Sequence, residues 1–197
     1  MANQLGLYNA ALAELGEPAL ASLTENRPAR HFLDSAYDNV LADCLEAGDW
    51  NFAIREVKAA ADTSITENFG FTETIAKPSD WVRTTALCFD PDFASPLLDT
   101  DYQDTTSFWA TYQTPIYVRY VSNGASYGLL LTAWPNAFRR YVEFALAERV
   151  CLQISQSEGM KAALSERLVP RALRNALSRD SRNEGMKFRR RSTWNAA

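Results

Sequence analysis

The chain has 197 residues and a formal net charge of −4, with 47% apolar and 12% aromatic residues. That is enough apolar material for a substantial buried core, which excludes a globally disordered chain. No apolar run approaches the roughly 18–20 residues that a membrane-spanning helix needs.

The opening MANQLGLYNAALAELG has neither a basic start nor a long apolar stretch, so it does not read as a secretion signal, and the chain is expected to be made in the cytoplasm. The first predicted helix covers Gln4–Leu15, with Leu5, Tyr8, Leu12 and Leu15 on one face and Gly16-Glu17-Pro18 as its stop. A loop, ALASLTENRPAR, leads into a second helix that runs to about Ala47, with Asn26 as candidate cap, Pro28 in the first turn and Gly48 as stop. Trp50 and Phe52 then fall on one side of an extended segment and are expected to plug the helical core.

From about Asp62 to Trp134 the texture is β. Thr, aromatic and β-branched residues dominate, broken by Pro78, Pro91, Pro96, Pro115 and Asn123-Gly124. FGFTETIA, WVRTTALCF, TTSFWATYQ and PIYVRYVSN read as strands. Helical spacing returns at Pro135 in PNAFRRYVEFALAERVCLQISQ, and a last helix is expected over about Met160–Arg182, kinked or split by Pro170. The expected architecture is α+β: a four-helix bundle from the two chain ends, with a central antiparallel β insertion. Its parts are an N-terminal helical half (1–61), the insertion (62–134), a C-terminal helical half (135–184) and a basic tail (185–197).

Charge is the most informative pattern. Residues 161–197 hold ten Lys/Arg against three acids, a net +7, while residues 1–160 carry −11. Arg167, Arg171, Arg174 and Arg182 form a basic stripe on the last helix, and the tail adds KFRRR between the apolar anchors Phe188 and Trp194. Such a bipolar chain suits head-to-tail docking or an acidic partner. Candidate docking residues are Arg171, Arg174, Lys187, Phe188, Arg189, Arg190, Arg191 and Trp194.

Catalytic patterns are scarce. His31 is the single histidine and sits early in a helix among Arg30, Phe32 and Asp34. Cys44, Cys88 and Cys151 are scattered, which points to small apolar core residues rather than a disulfide framework or a zinc site. The stretch FDPDFASPLLDTDYQD gathers Asp90, Asp92, Asp99, Asp101 and Asp104, but without EF-hand spacing or glycine it reads as a solvated acidic loop. No catalytic residue, metal site or cofactor is predicted, and the chain is expected not to be an enzyme. A hydrolase using the acids of this loop is the weakest alternative.

Two stretches carry a resemblance. LYNAALAELGEPALASLTENRPARHFLDSAYDNVLADCLEAGDWNFA and YVEFALAERVCLQISQSEGMKAALSERLVPRALRNALSRDSRNE together resemble tail tubular protein A, the head-to-tail adaptor family of short-tailed phages. The shared pattern is a short helix ending in LGEP, an LASL loop, a helix with Ala29 and Tyr37, then WNFA, and later a long helix, a break and a charged helix. It spans about half of the chain; in the central region only the β type and PSDWVR correspond. The resemblance implies a structural virion protein: a ring of about twelve copies between portal and tail nozzle, extending the DNA channel. The charge step and the aromatics Phe188 and Trp194 then assign the basic C-terminal segment to the portal. DNA would pass through the lumen without sequence-specific contact, and the site of action would be the virion neck. Repetition around a ring multiplies a weak contact through effective concentration. The alternative from the residues alone is a small nucleic-acid-binding protein using the same basic segment.

Overall fold

The computed structural model describes residues 3–66 and 69–183. Helix α1 (Gln4–Glu14) begins with the Asn3 side chain accepting from the Gly6 amide at 2.7 Å, which satisfies one of the free amides of its first turn. It ends in a Schellman turn: Gly16, at φ 73°, donates to Ala13 and Glu17 donates to Leu12. Helix α2 (Pro28–Glu46) starts on Pro28, whose missing amide costs nothing in a first turn. The expected Asn26 cap is not made, because Asn26 Oδ1 instead lies 3.2 Å from His31 Nε2.

Helix α3 (Asn136–Ile154) is the axis of the helical half. It buries Phe138, Tyr141, Val142, Phe144, Leu146, Ala147, Val150 and Cys151, which occupy more than one face. A helix apolar on several sides needs neighbours on several sides, and α1, α2 and α5 (Val169–Asn183) each pack on it. At its start, Trp50, Phe52, Trp134 and Phe138 meet with ring centroids 4.7–6.5 Å apart. Trp50 and Phe52 do plug the core, but from a tight turn closed by the Ala53 amide on Trp50 rather than from an extended segment. Helix α4 (Glu158–Ala163), a π-helical turn at Leu164–Leu168 and α5 form one continuous helical run. The expected disruption at Pro170 is absorbed in that turn: the Val169 amide reaches back five residues to Leu164, and the wider turn leaves room for a residue that cannot donate.

The class is α+β, but the four-helix bundle with a central β insertion is not the architecture. The helices gather around α3, and the strands make two small sheets that do not begin at residue 62. Strand β1 (Ile54–Ala59) lies inside the part assigned to the N-terminal helical half (1–61), in the extended segment after its second helix, and pairs antiparallel with β6 (Ile116–Ser122), Ile54 opposite Val121. β6 also pairs with β3 (Trp81–Cys88), giving the order β1-β6-β3. The second antiparallel sheet is β2 (Glu73–Ala76), β5 (Phe108–Thr111) and β4 (Tyr102–Asp104), in the order β2-β5-β4. IREVKA was missed because its residues favour helix as much as strand; the cross-strand pairs Glu56–Arg119 and Val57–Val118 decide it.

The sheets share a second core of Ile75, Leu87, Trp109, Ile116, Val118 and Tyr120. Polar groups fasten them. The Lys77 ammonium, 3% exposed, sits 3.3 Å from the Trp81 ring centroid, pairs with Asp104 at 2.5 Å and donates to the Thr105 carbonyl. Both indoles, Trp81 and Trp109, donate to Thr84 Oγ1. Asp80 accepts from Arg55 (2.8 Å), Tyr120 (3.0 Å) and Ser122 (2.5 Å), tying β1 and β6 to the loop before β3. Gly128 then passes so close to the Ser122 carbonyl that a Cβ would lie 2.3 Å from it, so only glycine brings the chain from β6 back to α3.

Candidate functional site: an arginine groove between α3 and α5

The two buried alanines of α5, Ala172 and Ala176, let that helix approach α3 closely. Alongside this contact the two helices border an open groove of about 690 Å³, within the range of ligand-sized clefts. Its α3 side presents Asn136, Arg139, Arg140 and Glu143; its α5 side presents Arg171, Asn175 and Arg179; Phe144, Leu168 and Ala172 supply apolar floor. Helical spacing explains the α5 set, since residues 168, 171, 172, 175 and 179 recur on one face.

Four guanidinium groups around one groove make a strongly cationic site. Arg139 is partly neutralised by Glu143, with Nε 3.5 Å from Oε1, and Arg140 lies over the Phe144 ring at 5.4 Å. Arg171 and Arg179 have no carboxylate partner among the described residues. Burial raises the Glu143 carboxyl above its usual range, while the neighbouring Arg139 and Arg140 charges oppose that rise. The arrangement can bind carboxylate or phosphate oxygens through paired N–H donors. Nothing in it resembles a nucleophile and base held in contact.

Of the residues singled out from sequence, Arg171 lines the groove, and Arg174 is exposed on α5 outside its lining. Arg167 and Arg182 are exposed as well. Lys187, Phe188, Arg189, Arg190, Arg191 and Trp194 lie outside the described residues. Arg139, Arg140 and Arg179 were missed. A local sign existed for the first two: they stand near the positive end of the α3 dipole, in a helix whose first turn has no acid.

The other candidates are placed elsewhere. His31 is exposed on α2 beside Arg30. Cys44, Cys88 and Cys151 are buried, and burial pushes the Cys44 thiol up to about 12, the character of a packing residue. The aspartates of 90–104 shape the loop: Asp90 accepts from the Asp92 and Ala94 amides, Asp101 from Leu98, and Asp104 pairs with Lys77. Among the described residues no three His, Cys, Asp or Glu side chains gather to hold a metal ion, and no helix is long and apolar enough to cross a membrane.

No family model matches the chain, and no curated protein does.

Proposed function

We propose that the protein is a structural virion component: a head-to-tail adaptor that assembles as a ring between portal and tail nozzle and prolongs the DNA channel. The observation that carries this reading is the cationic end of the helical half. Arg139, Arg140, Arg171 and Arg179 surround one groove and Arg174 stands beside it, in a chain whose first 160 residues are net acidic. A subunit polar in this sense suits a stack in which each end meets an unlike partner. The resemblance of its helical ends to tail tubular protein A supplies the identity of those partners: copies of itself, portal and nozzle. In this reading α5, with Arg174 and the basic residues that follow it, docks on the portal, and the protein performs no catalysis.

The test is co-assembly with portal rings, comparing the full chain with one ending at Glu184 and with Arg174→Glu. Loss of portal binding in both is expected; binding unchanged in both would overturn the docking assignment. Arg171 and Arg179, without a carboxylate partner among the described residues, also favour a second reading, sequence-blind binding to nucleic acid. That reading requires a gel shift of duplex DNA that weakens steeply between low and moderate salt.

A further inference from the structure

The acidic loop between β3 and β4 has a composition complementary to that of the arginine groove. Residues 89–101 include Asp90, Asp92, Asp99 and Asp101 and no Lys or Arg. At the end of the loop Leu98–Asp101 form a tight turn: the Asp101 amide donates to the Leu98 carbonyl at 2.8 Å, and the Asp101 carboxylate accepts from the Leu98 amide at 3.2 Å. The turn holds Leu98 outward, 69% exposed, beside the exposed Asp99. Two anchors brace the loop. The Leu97 amide donates to the Leu87 carbonyl at 2.8 Å, and the Arg119 guanidinium lies 4.5 Å from the Phe93 ring centroid.

We infer that Leu98 and Asp99 of one copy seat in the α3–α5 groove of the next, Leu98 on the floor of Phe144, Leu168 and Ala172, and Asp99 against Arg171 and its neighbouring arginines. The composition of each side answers the other, an apolar anchor beside acids against an apolar floor rimmed by guanidinium groups. A turn already fixed by its own hydrogen bonds loses little freedom on docking. β3 meets the helical half through Arg83 and Thr85, which hydrogen-bond Asp49, and the loop follows the strand's end at Cys88. The contact therefore joins two different surfaces. It is heterologous, and repeats around a ring when its rotation closes. The inference deepens the adaptor reading and rests on it for the ring. It also divides α5: Arg171 and Arg179 turn to the neighbouring copy, while Arg174 remains open.

Sedimentation of the full chain at low salt provides the test. Concentration-dependent self-association is expected below about 100 μM, weakened about tenfold or more by either Leu98→Glu or Arg171→Glu. The paired change Asp99→Arg with Arg171→Glu reverses both charges and should recover association relative to Arg171→Glu alone. Mixing Thr100→Cys with Asn175→Cys copies should give an interchain disulfide under mild oxidation, since the native cysteines are buried. A chain that remains monomeric, or self-association indifferent to Leu98 and Arg171, would overturn the inference. So would a monomer that binds duplex DNA through the same arginines, which would assign the groove to phosphate. Self-association through Leu98 and Arg171 without any portal binding would overturn the adaptor reading and leave this contact standing.

Discussion

Around α3, Trp50, Phe52, Trp134 and Phe138 meet ring against ring, and the helical half is held chiefly by apolar packing. The paired sheets have a much smaller core, and there Lys77, Asp80 and Thr84 supply directed contacts between strands. Two short sheets cannot remove much apolar surface from water, so their register depends on partners that must be met at one distance and angle. The contrast separates a half held chiefly by apolar packing from one whose register rests on directed polar contacts, a carboxylate among them.

The largest effect should come from the aromatic cluster. Phe138→Ala is expected to lower unfolding free energy by about 4 kcal/mol in a denaturant titration. A loss below about 1 kcal/mol would remove Phe138 as the centre of the helical core.

Asp80 should follow. Asp80→Ala leaves Tyr120, Ser122 and Arg55 without their shared acceptor, at about 3 kcal/mol. Burial alone would raise this carboxyl, but hydrogen bonds from Ser122, Arg55 and Tyr120 hold it below the usual range. A carboxyl with a lowered folded pKa adds stability above its unfolded pKa, about 4, and loses it as pH falls through the folded value. The stability gap between the native chain and Asp80→Asn should therefore narrow as pH falls from about 6 to 3. A gap constant over that range would remove Asp80 as the pH-linked member of the sheet region.

The smallest effect on stability belongs to the groove. Arg171→Glu should change unfolding free energy by no more than about 0.5 kcal/mol, because the residue is exposed and makes no ion pair among the described residues. A loss of several kcal/mol would make the groove part of the scaffold rather than a docking surface.

Much of the local structure was legible in the sequence. Gly16 after an apolar stripe marked the end of α1, and Pro28 marked the start of α2. PIYVRYVSN showed β6 because its alternation survives in a strand paired on both edges. β1 and β4 were not legible, since a six-residue segment of helix formers and a three-residue strand acquire their state from their partners. The central place of α3 was also hidden. Its periodicity shows one apolar face, while its burial on further sides reflects which helices fold against it, a tertiary fact. For the groove, the stripe on the last helix exposed Arg171 but could not show that α3 contributes Arg139 and Arg140 from across the gap.

The π-helical turn at Leu164–Leu168 has a consequence for which arginines meet a partner. Each helical residue advances the azimuth by about 100°, so a turn one residue wider than usual shifts the angular phase of everything after it. After that turn α5 presents Arg171, Asn175 and Arg179 to the groove, whereas Arg167, inside the turn, is exposed outside its lining. Pro170, by requiring that wider turn, acts as the phase setter of the helix. Removing one residue from 164–168 together with Pro170→Ala would rotate the cationic face away from the groove while leaving its composition untouched.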